Sequence, residues 1–148
     1  MTLNKLLNLA KPLTANSINF DVLLPSLNNI GKTYYDGLIN QKVLNQNGIY
    51  VIYHPDGKSI IYVGKGGTLN KDGNYKNQKL NGRLKAPRSN FNNSFEYFKQ
   101  LMIQNNYQIL QFYIFYSKQN IPPAYFEAVV LYNFYNINNC LPILNNEF

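Results

Sequence analysis

Gly48-Ile-Tyr-Val-Ile-Tyr-His54 and Ser59-Ile-Ile-Tyr-Val-Gly64, joined by Pro55-Asp-Gly-Lys58, carry the clearest structural signal in the chain. β-Branched and aromatic residues fill both runs, a composition that suits a pleated, half-buried surface. Between them, proline presets φ, aspartate can bond its own backbone and glycine accepts left-handed dihedrals, which together make a tight turn. The pattern predicts a β-hairpin.

Working outward, residues 65 to about 79 are polar and punctuated by glycine, and predict a loop of unusual length for a compact chain. Residues 80–86, LNGRLKA, predict a short helix that carries Arg83 and stops near Pro87. Asn93 followed by Glu96 has the spacing of a helix-starting cap, with Phe95, Phe98, Leu101 and Met102 on one face of the helix that follows. A third strand is predicted over 109–116, and Pro122-Pro123 opens a helix over about 124–135. Upstream, short apolar runs broken by Pro25 and Gly31 predict a helical N-terminal extension over 1–46. The expected architecture is α+β: a three-stranded, largely antiparallel sheet flanked by helices over 47–148, preceded by that extension.

A chain of 148 residues can bury a core without covalent staples, and its single cysteine, Cys140, cannot form an internal disulfide or a cysteine metal cluster. No apolar run reaches the roughly 20 residues needed to span a bilayer, and the first residues make a poor secretory signal. A reducing, cytoplasmic location is expected. The formal net charge is +7, and nine of the fourteen basic residues fall between Lys58 and Lys99, opposed there only by Asp72 and Glu96. Such a patch favours polyanions, although a solvated lysine face would look the same. The abundance of Tyr, Phe, Asn, Ile and Lys follows from codons rich in A and T and is given no weight as a base-stacking platform.

Glu127 stands out chemically. Its neighbours at i+3, i+4 and i+7 are Val130, Leu131 and Phe134, so a carboxylate projects from an apolar helical stripe. A carboxylate in such a place must be paired, protonated or bound to a cation. An ion pair with Lys or Arg and a hard divalent ion are both open. Gly64-Lys-Gly-Gly67 after a strand could bring backbone N–H groups and an ammonium to a phosphate, yet lacks the spacing of the known phosphate loops.

Taken in order, Gly48-Ile-Tyr50, eleven residues, Tyr62-Val-Gly64-Lys65-Gly66, then Gly82-Arg83-Leu84, Glu127 and Pro142-Ile-Leu-Asn145 resemble the signature of the GIY-YIG nucleases, with valine for isoleucine in the second triplet. The resemblance spans about 47–146 and is greatest to the compact restriction-type members. It implies a metal-dependent DNA endonuclease. Tyr50 would act as a phenolate that takes a proton from the attacking water, helped by a nearby cation such as Lys65. Tyr62 would bond the nucleophile or phosphate, Arg83 would contact the scissile phosphate, and Asn145 would orient a ligand from the opposite side. Glu127 would hold one Mg²⁺ or Mn²⁺. Two departures stand out: the segment 66–79 is an insertion relative to compact members, and the histidine that several members carry after the arginine is replaced by Pro87-Arg88. The single histidine, His54, falls at the hairpin turn and is expected to be exposed rather than catalytic.

The implied partner is double-stranded DNA, cut sequence-specifically, with a non-specific nuclease effector and a non-catalytic DNA-binding module as alternatives. Lys71, Lys76 and Lys79 are placed to follow phosphates, and Asn74, Asn77 and Gln78 to reach base edges; Lys85 and Arg88 complete the expected DNA contacts. The N-terminal extension is expected to contact DNA or to form a homodimer, which would bring two sites to one palindrome.

Overall fold

A computed structural model describes residues 1–57 and 59–148. Lys58, the last residue of the predicted turn, lies outside the described residues. In chain order the elements are α1 (Leu3–Ala10), β1 (Thr14–Leu23), α2 (Leu24–Asn29), α3 (Lys32–Lys42), β2 (Gly48–Tyr53), β3 (Ile60–Gly66), α4 (Leu80–Lys85), α5 (Ser94–Gln104), β4 (Ile109–Ser117) and α6 (Pro123–Asn138). The fold is α+β, with a sheet ordered β1-β4-β2-β3 in which every neighbouring pair is antiparallel.

The hairpin forms as its composition predicts. Tyr50 faces Gly64 and Ile52 faces Tyr62 across the ladder, and a bulge then shifts the register so that Tyr53 meets Ile60. All six residues of β2 are buried, because the sheet is covered on both sides. Tyr50 and Ile52 join Phe20, Phe112 and Ile114 in a core beneath α2, α3, α4 and α5. Ile49, Val51 and Tyr53 join Val63, Phe115, Phe126 and Val130 in a second core beneath α1 and α6. The alternation of side chains along a strand divides the hairpin between these cores.

The N-cap of α5 is as predicted: the Asn93 side chain accepts from the Glu96 N–H at 2.9 Å, and Phe95, Phe98, Leu101 and Met102 are buried. The short helix carrying Arg83 ends before Pro87, and β4 and α6 match the predicted third strand and final helix. Gly66 lets the end of β3 approach the start of α4, since a Cβ there would lie 2.5 Å from the Leu80 nitrogen. That approach sets the position of Arg83.

The sheet has four strands rather than three, and the extension is not wholly helical. Residues 14–23 run antiparallel along β4 with Ile18, Phe20 and Val22 facing Ile114, Phe112 and Leu110. The physical reason is a period-two alternation, Ile18, Phe20 and Val22 inward with Asn19 and Asp21 outward, which is strand chemistry rather than helix chemistry. The extension is therefore built into the same sheet as the hairpin. α1 lies against α6, and the Asn81 side chain of α4 donates to the Val43 carbonyl at 2.8 Å just beyond α3. Among the described residues, no helix is long and apolar enough to cross a membrane.

Candidate active site

β3 is one of the two outer strands of the sheet, so side chains from both of its faces can meet around its edge. Tyr62 points to the same face as Tyr50, whereas Val63 and Lys65 point to the face covered by α6. Tyr62, Lys65, Gln78, Arg83 and Glu127 line one cleft of about 310 Å³ at this edge. A neighbouring cleft of about 360 Å³ shares Tyr62, Lys65 and Glu127 and adds Asn145 and Glu147. A third, of about 340 Å³, lies between Tyr62, Arg83, Arg88 and Tyr97. The partly exposed Tyr62 is common to all three.

Glu127 emerges from the apolar stripe of α6, where Val130, Leu131 and Phe134 are buried. Its Oε2 accepts from Lys65 Nζ at 3.0 Å, with the glutamate side chain 19 % and the lysine 37 % exposed. Lys65 is thus the partner of Glu127 and does not supply the cation expected beside Tyr50. A half-exposed ion pair of this kind contributes at most about 1 kcal/mol.

The cation beside Tyr50 is Arg88. Its Nη2 donates to Tyr50 Oη at 2.5 Å, and its Nε donates to Ser94 Oγ at 2.9 Å. Ser94 Oγ in turn donates to the Ala86 carbonyl at 2.6 Å. Rings of Tyr50, Tyr62, Tyr97 and Phe98 surround the guanidinium at 5.1 to 5.8 Å. Burial works against the arginine's charge, but the phenols of Tyr50, Tyr62 and Tyr35 outweigh it and hold the guanidinium above its usual range. Arg88 is 8 % exposed, so it is not the surface DNA contact expected of it. Its planar fork and aromatic stacking make it the basic side chain best suited to such a cage.

Tyr50 itself is fully buried and lines none of these clefts. Burial pushes its phenol above the ordinary tyrosine range, and Arg88 and Arg83 pull it back only in part. Burial thus favours the neutral phenol in the free protein, and the cation beside it is Arg88 rather than the Lys65 that was expected. Its ring lies 5.6 Å from that of Tyr62, and a Cβ at Gly64 would approach Tyr62 Cε1 to 2.7 Å and the Tyr50 hydroxyl more closely still. Gly64 is thus the gap that admits both phenols.

Asn145 uses both ends of its amide on β3: Oδ1 accepts from the Val63 N–H at 2.9 Å and Nδ2 donates to the Val63 carbonyl at 2.8 Å. The Leu144 N–H adds a bond to the Ile61 carbonyl at 3.1 Å. The segment after α6 therefore closes the free edge of β3, and Asn145 positions the strand rather than reaching across the cleft.

The segment between β3 and α4 is a small folded loop, with Leu69 bridged to Tyr75 and the Lys76 N–H bonded to the Thr68 carbonyl at 2.9 Å. Lys71, Lys76, Asn74, Asn77 and Gln78 are exposed and Lys79 is half-buried at the start of α4. Asn74 Nδ2 donates to Asp72 at 3.3 Å, and Lys85 Nζ donates to Asn40 at 2.7 Å. Lys85 therefore points to α3 rather than to the clefts. His54 lines none of the three clefts; its ring meets Tyr107 edge-on, centroids 4.9 Å apart.

For a divalent ion the donor set is sparse. No group of three or more His, Cys, Asp or Glu side chains gathers among the described residues. Glu127, with Glu147 lining the adjoining cleft, offers one or two carboxylates. That suits Mg²⁺ or Mn²⁺ that keeps most of its water and completes its shell with substrate phosphate, and does not suit an all-protein cage.

Sequence reasoning missed the Arg88–Tyr50 contact, Ser94 and Glu147. A signal for the first was present: Arg88 precedes Phe91, Phe95, Tyr97 and Phe98. Compared with protein-family models, with curated proteins and with solved structures, the chain matches none.

Proposed function

We propose that this chain is a metal-dependent endodeoxyribonuclease of the GIY-YIG kind, which hydrolyses a DNA phosphodiester bond and cuts double-stranded DNA sequence-specifically. One observation carries the reading: Tyr62, Lys65, Arg83 and Glu127, drawn from β3, α4 and α6, line a single cleft. They are four members of an ordered motif resembling that family, and the cleft brings together a phenol, two cations and a carboxylate.

In this reading Arg83 binds the scissile phosphate, where its fork of donors meets charge that grows in the transition state. Tyr62 orients the attacking water or a phosphate oxygen. Water attacks phosphorus and the bond to the 3′ oxygen breaks; Tyr50, having first lost its own proton to solvent, receives as phenolate the proton that the water loses. Because Tyr50 is buried behind Tyr62, the Tyr62 ring turns aside as DNA seats. Glu127 would hold a divalent ion, with Glu147 on the adjoining cleft. Such an ion would supply polarisation of the phosphate and neutralisation of the leaving oxygen. Lys65, then released from Glu127, would be free to turn to phosphate. Lys71 and Lys76 follow the DNA backbone, and Asn74, Asn77 and Gln78 lie on the exposed loop where base edges could be read.

The Lys65–Glu127 ion pair favours one rival, a DNA-binding module in which Glu127 is structural. Digestion of plasmid with Mg²⁺, followed by sequencing of the ends, separates the two. Discrete fragments are expected from the native chain, and no cleavage from Glu127→Gln or Arg83→Ala although both still bind DNA. A smear would indicate the non-specific alternative. Near-normal cleavage by Glu127→Gln, or binding indifferent to Mg²⁺ with no cleavage by the native chain, would sink the proposal.

A further inference from the structure

We propose that Arg88 is a positioning residue that holds the Tyr50 oxygen in readiness to carry negative charge, and that Ser94 locks it there. Only the catalytic consequence of this pairing rests on the endonuclease reading; the pairing itself rests on geometry.

Two buried phenols in the same core show the contrast. Tyr35 donates its hydroxyl proton to the Leu84 carbonyl at 2.5 Å, the usual arrangement for a buried tyrosine that serves the fold. Tyr50 Oη accepts a hydrogen bond from Arg88 Nη2 at the same distance, and among the described residues no acceptor takes a hydrogen bond from its own hydroxyl. An oxygen that accepts a charge-assisted bond and has nowhere to donate is arranged for the deprotonated state.

Arg88 points to the same conclusion from the other side. A buried guanidinium calls for a compensating anion. Among the described residues Arg88 forms no ion pair with a carboxylate, and beside the Ser94 hydroxyl and the Arg83 carbonyl, 3.5 Å from Nη2, its neighbours are phenols and rings. Of the phenols, the Tyr50 oxygen alone is hydrogen-bonded to it, so this is where a balancing charge can form when the phenol ionises. The bond from Nε to Ser94 Oγ, anchored in turn on the Ala86 carbonyl, prevents the fork from turning away.

The groups facing Tyr50 come from four directions: Arg88 from the segment between α4 and α5, Arg83 from α4, Tyr62 from β3 and Tyr35 from α3. Burial and, less strongly, Tyr62 oppose ionisation of Tyr50; the two arginines favour it, Arg88 the more strongly. Tyr50 lines neither cleft that contains Glu127, so it lies apart from the proposed metal ligand.

The test places 3,5-difluorotyrosine, whose phenol ionises at lower pH than tyrosine's, at position 50 by nonsense suppression. Its ¹⁹F resonance is followed through a pH titration without DNA or metal. With Arg88→Gln the midpoint should rise by about 1 to 2 pH units, the effect of losing a hydrogen bond to a charged group. Arg88→Lys, which keeps the charge but not the fork, should fall between, and Lys65→Gln should leave the midpoint in place. Equal midpoints for Arg88, Arg88→Lys and Arg88→Gln would overturn the inference, as would a larger shift from Lys65→Gln than from Arg88→Lys. Should Arg88→Gln not fold, the comparison of Arg88→Lys with Lys65→Gln decides. A shifted midpoint in a chain that cuts no DNA would defeat the endonuclease reading and leave the pairing intact; cleavage without the shift would do the reverse.

Discussion

Replacing Gly64 with alanine adds one methyl group at the point where the two phenols cross. Its dihedrals are not left-handed, so the backbone tolerates alanine and the effect is one of space. The new Cβ would stand 2.7 Å from Tyr62 Cε1 and closer to the hydroxyl of the fully buried Tyr50, which has no room to retreat. Overpacking of this kind costs about 1–3 kcal/mol. Reduced freedom of the unfolded chain returns about 0.4–1 kcal/mol. The net loss of about 1–2 kcal/mol should lower Tm by about 2–8 °C for a chain of this length. Cleavage should suffer more than stability, by about 100-fold, since both rings move from their places and misplacement by about 1 Å has that effect. Thermal melting by circular dichroism and a timed plasmid digest give the two numbers. Gly37→Ala is the control: it lies in α3 with nothing within 4 Å of its added Cβ, and should raise Tm through helix propensity. If Gly64→Ala melts at or above the native temperature and cuts within about threefold of the native rate, the two phenols do not share the space assigned to them.

Cleavage should accelerate with pH, about tenfold per unit between roughly pH 6 and 9, because burial holds the Tyr50 phenol above the ordinary range and its ionised fraction grows throughout that window; a flat profile would exclude Tyr50 as the proton acceptor. Tyr50→Phe should cut at least about 100-fold more slowly while binding DNA normally, as measured by single-turnover digestion and fluorescence anisotropy. Asn145→Ala removes two bonds to the Val63 backbone, each worth about 1 kcal/mol before water replaces them at the exposed edge, so chemical denaturation should show a loss of about 1–2 kcal/mol; an unchanged midpoint would mean that the edge needs no such closure. Replacing Lys71 and Lys76 together with alanine should lower the slope of log affinity against log salt by about 2, with little change in the relative preference among DNA sequences.

Much of the fold was legible because the signals were local. The hairpin announces itself in β-branched and aromatic residues around Pro55-Asp-Gly, and α5 in the spacing of Asn93 to Glu96. β1 was harder to read because Asn16 and Ser17 interrupt its apolar alternation before Ile18, and because its partner β4 lies far along the chain. Glu127 was recognisable as a carboxylate on an apolar stripe, but the identity of its partner was not, since both Lys and a metal satisfied that reasoning. Arg88 was misplaced on the surface for a similar reason. Arginine is ordinarily exposed, and its cage is assembled from β2, β3 and α5, which no local pattern connects.

The central place of β4 has a consequence for how the molecule reaches this state. β1 and the hairpin have no direct pairing with one another; each is joined to the sheet through residues 109–117. Until that strand arrives, β1 and one side of β2 present unsatisfied backbone edges, and a long intervening loop must close before either is covered. Folding should be slow for a chain of this size, with β4 acting as the keystone of assembly and crowded refolding inviting intermolecular strand exchange.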